Sequence, residues 1–159
     1  MNIQPVPYDH PDAVALDAEV QAEYAARYDD EGDVTPLDAG MFAPPRGLYL
    51  LAYDPEGRPV ATGGWRTQDK NDAGYENGDA ELKRMYVVPG ARGLGLARRV
   101  LAALESDARA TGRTRMVLET GIAQPEAIAL YVSSGYEPCA KFGLYRDHPS
   151  SRCYAKPLV

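Results

Sequence analysis

The chain has 159 residues, 45% of them apolar and 25% charged, the size and balance of one globular domain that buries about 68–70% of the surface its unfolded form exposes. A formal charge of −6 argues against nucleic acid as a partner, and no apolar run approaches the roughly 18 residues that a bilayer span needs. The start "MNIQPVPYDH" has no basic end followed by an apolar core, so a cytoplasmic protein without a secretory leader is expected.

In chain order, "NIQPVPY" reads as an edge strand, the one strand position where Pro5 and Pro7 are tolerated. Residues 11–28 turn helical, with Leu16, Val20, Tyr24 and Tyr28 recurring every fourth position. "DDEGDVTPLDAGMFAPPRG" is turn-rich, with room for one short helix around residues 36–39. "GLYLLAYD", the turn "PEGR" and "PVATGGWRT" form a β-hairpin, and the polar loop "QDKNDAGYENGD" leads to a third long strand, "AELKRMYVV". Residues 94–111 form the clearest helix, with Leu96, Val100, Leu101, Leu104 and Ala108 on one face and Gly112 as the C-terminal cap. "RMVLETG" is a strand. "QPEAIALYVSSG" is a short helix with Pro125 in its first turn and Gly135 beyond its end. "YEPCAKFG" and "SSRCYAKPL" close the chain as two strands. The order β, α, βββ, α, β, α, ββ describes one mixed α/β domain over residues 1–159, with a central βαβ unit.

Cys139 and Cys153 are too few for a disulfide framework or a zinc site, and His10 and His148 stand alone, so no metal is expected. The informative stretch is "PGARGLGLARR". Eight of the 17 basic residues lie between Lys83 and Arg115, a locally basic strip on an acidic chain. A helix starting near Leu94 presents unpaired N–H groups and the positive end of its dipole. Gly93 and Gly95 let a ligand approach the backbone, and Arg92, Arg98 and Arg99 carry charge to a phosphate. A dinucleotide fingerprint would need glycine where Arg98 stands, and a P-loop would need a Gly-Lys-Ser/Thr run that the chain lacks. A kinase glycine loop would need the rest of the kinase set, for which the chain has no room.

A strand, this loop and a helix in "AELKRMYVVPGARGLGLARRVLAALE", followed by "LETGIAQPEAIALYVSSGYEP", resemble the GNAT superfamily of acetyl-CoA-dependent N-acetyltransferases. The resemblance covers residues 80–138. It implies a mixed sheet with a V-shaped opening between its two central strands, acetyl-CoA as cosubstrate, and a small-molecule amine as acceptor. The loop pattern Gln/Arg-x-x-Gly-x-Gly/Ala has two registers here, ending at Gly95 with Gly90 at its first place, or ending at Ala97 with Arg92 there. The polar residue before the last helix, often Asn in the family, is Gln124.

Carried over residue by residue, the resemblance implies that Met85, Tyr86, Val87 and Val88 pair with the pantetheine arm, with Gln124 assisting. Arg92, Gly93, Leu94, Gly95, Leu96, Ala97 and Arg98 would hold the pyrophosphate. Tyr131 stands at the general-acid position beside the leaving sulfur, where a phenol of pKa about 10 stays protonated. Glu81 stands where some relatives keep a base, with Glu119 the alternative. The acceptor pocket is drawn from Tyr24, Tyr28, Asp29, Asp30, Phe42, Phe142 and Tyr145, acids and aromatics that suit a small cationic amine. Transfer to protein N-termini or lysines, or acyl-CoA sensing without turnover, remain alternatives, and a homodimer stays open.

Overall fold

A computed structural model of the chain describes residues 1–28 and 32–158. Seven strands form one sheet: β1 (Asn2–Pro5), β2 (Gly47–Tyr53), β3 (Pro59–Gln68), β4 (Asp79–Val87), β5 (Arg115–Gly121), β6 (Glu137–Pro138) and β7 (Ser151–Pro157). Their spatial order is β1-β2-β3-β4-β5-β7-β6, with β1 at an edge, where Pro5 is tolerated. The helices are α1 (Pro11–Tyr28), α2 (Leu96–Ala110) and α3 (Pro125–Ser133).

Alternation along β2 sends side chains to opposite faces of the sheet. Leu50 and Ala52 join Leu96, Val100, Leu101, Leu104 and Ala108 of α2 in one core. Tyr49 and Leu51 join Ala13 and Leu16 of α1 in a second core on the other face. Tyr131 of α3 belongs to the α2 side.

Three elements differ from the sequence reading. The short helix is a 3-10 turn at Ala39–Phe42 instead of residues 36–39, because Asp38 caps it by accepting from the Met41 N–H at 2.9 Å. Helix α2 begins at Leu96, since Gly95 holds a left-handed φ of 75° that a helix cannot include. The strand expected over "YEPCAKFG" shrinks to Glu137–Pro138. Beyond it the chain turns inward, burying Phe142 against Tyr75 with ring centroids 4.9 Å apart.

The central feature is the parting of β4 and β5. They pair in parallel only at Asp79↔Arg115, Ala80↔Met116 and Glu81↔Val117. At that closed end Arg115 donates to both carboxylate oxygens of buried Asp79, Nε to Oδ1 at 2.8 Å and Nη2 to Oδ2 at 2.9 Å. Further along, the β3–β4 register passes from Gly64↔Lys83 to Thr62↔Tyr86, so two β4 residues oppose one on β3. Arg84 sits in this bulge with φ of 60°. A bulge bends its strand and re-aims side chains. Here it carries β4 away from β5 and opens the sheet.

Candidate active site

The opening is a cleft of about 940 Å³, counted to its solvent-exposed mouth. Residues 82–85 of β4 line one wall and residues 118–121 of β5 the other. Helix α1 contributes Tyr24 and Tyr28, the start of α3 contributes Gln124, and the middle of α3 contributes Tyr131.

Tyr131 is the one fully buried side chain of α3, at 6% exposure, with its ring edge-on to Tyr136 at 5.8 Å. Burial, reinforced by the neighbouring Tyr24, pushes its pKa above the ordinary phenol value. Its hydroxyl has no hydrogen-bond partner among the described residues. It is a protonated donor in the cleft wall.

Glu119 lies on the β5 wall. Burial pushes its carboxyl up to about 7, with the Ser151 hydroxyl and the Lys83 charge opposing the rise and the Glu81 and Asp33 charges adding to it. Ser151 Oγ donates to Glu119 Oε2 at 3.1 Å. His148, also in the cleft, accepts the Ser150 N–H on Nδ1 at 3.2 Å. Glu119 is the cleft carboxyl poised to exchange a proton near neutrality.

Glu81 is not in the cleft. Its Oε1 accepts from Arg66 Nε at 2.7 Å and Gln68 Nε2 at 3.2 Å, and its Oε2 from the Tyr75 hydroxyl at 2.8 Å. At 2% exposure it sits on the still-paired part of β4, below the point where the strands part. Phe142 is likewise absent from the wall, its side chain spent in the core beside Tyr75, Val117 and Cys153. Phe42 packs in the α1-side core against Tyr49. Tyr145 is in the wall, its hydroxyl accepting from the Val34 N–H at 2.7 Å. Asp29 and Asp30 lie outside the described residues.

Along the β4 end the backbone decides which groups are available. The Val88 N–H is taken by the Val60 carbonyl at 2.9 Å, so it cannot pair with a pantetheine arm. Alternation then turns the Val87 N–H and C=O away from β3, toward the opening. Arg92 Nε donates to that Val87 carbonyl at 2.9 Å. Met85 lines the cleft, and the half-buried Tyr86 carries the Arg92 guanidinium over its ring at 5.7 Å.

The glycine loop is exposed from Arg92 to Gly95, while Leu96 anchors α2 at 2% exposure and Ala97 is half-buried. Gly93 and Gly95 both have left-handed φ, 82° and 75°, and a Cβ built on either, or on Gly90, meets nothing within 4 Å. No side chain therefore obstructs a ligand's approach to the backbone at the helix start. Arg92 also pairs with Glu23 of α1 at 3.1 Å, and Arg98 donates to Ser133 Oγ at 2.6 Å and Ser134 Oγ at 3.2 Å. Both are exposed and able to turn to a ligand.

The family model described as Acetyltransferase (GNAT) matches residues 13–136, from the first turn of α1 through the loop and Tyr131 to Tyr136. The chain belongs to the GNAT acetyltransferase family. Members of this family use acetyl-CoA or another acyl-CoA, and this GNAT chain is an acetyltransferase enzyme. An Escherichia coli (strain K12) relative, the uncharacterized N-acetyltransferase YjgM, is 31% identical over 134 residues, 81% of this chain and 77% of that protein. The IAA acetyltransferase of Azospirillum brasilense is 45% identical over 83 residues, and the match spans about half that relative's length, 54%, and 52% of this chain. A solved Klebsiella pneumoniae structure assigned as an acyl-CoA N-acyltransferase is 31% identical with a TM-score of 0.79, covering 99% of this chain and 97% of that one. No described helix of this GNAT protein is long and apolar enough to cross a membrane.

Asp33, Lys83, Arg84, His148 and Ser151 also line the cleft, although none is among the site residues expected from the sequence. Lys83 was findable, since it follows Glu81 on the same strand face. Nothing in the sequence marks Arg84 as a bulge residue.

Gly121 shows how α1 closes the GNAT cleft. A Cβ there would fall on the Tyr28 ring and hydroxyl, which also accepts from Gln124 Nε2 at 3.2 Å. Gly121→Ala is expected to displace Tyr28 and cost about 1–3 kcal/mol, as overpacking does. Chemical denaturation measures the loss, and an unchanged stability would mean that Tyr28 is not seated there.

Proposed function

We propose that this protein transfers an acetyl group from acetyl-CoA to the primary amine of a small molecule, by direct attack with both substrates bound. One observation carries the reading: a protonated Tyr131 hydroxyl with no hydrogen-bond partner among the described residues and a Glu119 carboxyl poised near neutrality line the same cleft, and the strand that walls it, β4, leads into an exposed glycine loop. A small acceptor is favoured over a peptide because Tyr28, seated on Gly121 and Gln124, joins α1 to β5 across the cleft.

When bound, acetyl-CoA supplies the activated acetyl thioester. The N–H groups of residues 93–98 receive the pyrophosphate, with Arg92 and Arg98 adding charge. The Val87 N–H polarises the carbonyl that will be attacked. Glu119 accepts a proton from the amine, and Tyr131 donates one to the departing thiolate. Holding the two substrates at attack distance supplies much of the remaining acceleration.

A panel of amines and alcohols, read by release of free CoA thiol, tests this reading. Amines are expected to react and alcohols not; no turnover with any amine would leave a cofactor sensor instead. Gly95→Asp, which sets a carboxylate at the phosphate approach, is expected to weaken CoA binding at least about tenfold. Calorimetry on the folded variant measures it, and unchanged affinity would move the phosphate site elsewhere. Replacing both Arg92 and Arg98 by Ala is expected to lower affinity and flatten its salt dependence. Equal salt slopes in wild type and the double variant would remove both arginines from the phosphate site.

A further inference from the structure

Among the described residues, Arg84 and Asp33 on the α1 side of the cleft are satisfied and Lys83 is not. Arg84 is closed off: Nε donates to Asp17 Oδ1 at 2.7 Å, Nη1 donates to Asp33 Oδ2 at 2.5 Å, and the side chain is 3% exposed. Asp33 has nothing left to offer. Its Oδ1 accepts the Thr35 N–H at 2.9 Å and the Thr35 hydroxyl at 2.6 Å, and its Oδ2 accepts from both Lys83 and Arg84. Gln21 pins the Asp33 backbone, accepting its N–H at 2.8 Å and donating to its carbonyl at 2.7 Å. Burial alone would raise the Asp33 pKa, but the Lys83 and Arg84 charges outweigh it and hold the carboxyl well below the usual range.

Lys83 is different. Its side chain is 9% exposed, and its ammonium makes one hydrogen bond, to Asp33 Oδ2 at 2.8 Å. An ammonium has three donors, so two lack a partner among the described residues. A buried cation with spare donors in a cleft wall is a recognition group for an anion.

Register fixes where that anion would lie. Glu81↔Val117 is the last parallel pair, and the next residues on the same face of each strand are Lys83 and Glu119. They therefore stand opposite each other where the strands part, and no ion pair joins them among the described residues. A carboxylate held by Lys83 would lie next to an amine facing Glu119. An α-amino acid carries both of those groups on one carbon.

Resting on the acetyl-transfer reading above, we propose that the acceptor is an α-amino carboxylate whose carboxylate docks on the Lys83 ammonium while its amine faces Glu119. Lys83 is then the residue that selects among amines. A polycationic amine would meet Lys83 and Arg84 with Asp33 already subscribed, and is rejected by the same wall. This replaces the cationic acceptor suggested by the acids near Tyr24.

The test compares the twenty α-amino acids with their primary amides, which keep the amine and side chain but lose the carboxylate charge. For the best side chain, wild type is expected to favour the acid by about 10- to 100-fold in kcat/KM, the worth of a charge-assisted hydrogen bond. Lys83→Met is expected to bring the acid-to-amide ratio close to one, while Lys83→Arg keeps a preference. Equal use of acid and amide by wild type overturns the proposal, as does an undiminished ratio in Lys83→Met. If amides and other uncharged-tail amines react as well as acids, acetyl transfer stands and the carboxylate site falls. If no amine reacts, calorimetry of acid and amide on CoA-saturated wild type decides the site alone: tighter acid binding supports it and equal binding overturns it. The wild-type comparison stands even if Lys83→Met fails to fold.

Discussion

Tyr131→Phe is expected to lower kcat about 100-fold, the lower end of what a general acid contributes. The change keeps the ring, its edge-on packing against Tyr136 and the helix, and removes a hydroxyl that makes no hydrogen bond among the described residues. Stability should therefore stay close to wild type, because no buried partner is orphaned. CoA affinity should also hold, since the hydroxyl acts on charge that develops only as the thiolate departs. The loss should appear equally in kcat and kcat/KM, the signature of an interaction made chiefly in the transition state. Water reaching the sulfur through the open mouth supplies some protons, which is why the low end is expected. Steady-state kinetics with the best amine of the panel, beside a thermal melt, makes the measurement. A folded variant within about threefold of wild-type kcat, far below the general-acid range, would falsify the role.

Glu119→Gln is expected to lower kcat/KM by about 100- to 10,000-fold and to change its pH dependence. The wild-type carboxyl, with its pKa raised to about 7, is protonated and inactive as a base below that pH. Activity should climb with pH through about 7 and level above it, apart from any rise due to the amine itself. The variant should lose the Glu119 limb and keep the amine's. The same shift carries a stability consequence of defined sign. A carboxyl whose pKa is raised from 4.5 to about 7 contributes stability that is full below 4.5 and is lost as pH rises through about 7. Wild type should therefore lose stability relative to Glu119→Gln as pH rises from 4.5 to about 7. A pH profile left intact in a folded Glu119→Gln enzyme would assign the base to another group or to water.

Glu81 and Glu119 show why the cleft carboxylate is not legible in the sequence. Both are glutamates on adjacent central strands, and a strand pattern treats them alike. What separates them is the bulge at Arg84 and the end of pairing at Glu81↔Val117. Glu81 stays on the closed side, bound by Arg66, Gln68 and Tyr75, and Glu119 falls on the open side. The aromatics expected at an acceptor pocket divide for a similar reason. Tyr24, Tyr28 and Tyr145 reach the cleft, whereas Phe142 is drawn under the sheet by a loop whose strand was expected to continue.

The order of strands and helices, the apolar face of α2, the glycine loop at a helix start and the position of Tyr131 were all legible in the sequence. Each is a local matter: periodicity, capping and the need for left-handed backbone at Gly93 and Gly95 act within a few residues. The tertiary structure alone decided which carboxylate faces the cleft, that Val88 has no N–H to give, and that Asp33, Lys83 and Arg84 meet across 50 and 51 residues of chain. Those outcomes depend on strand register and on one extra residue in β4, which set burial and charge pairing between distant segments. No periodicity along the chain encodes a register between strands, because the same alternation is satisfied by any shift of two.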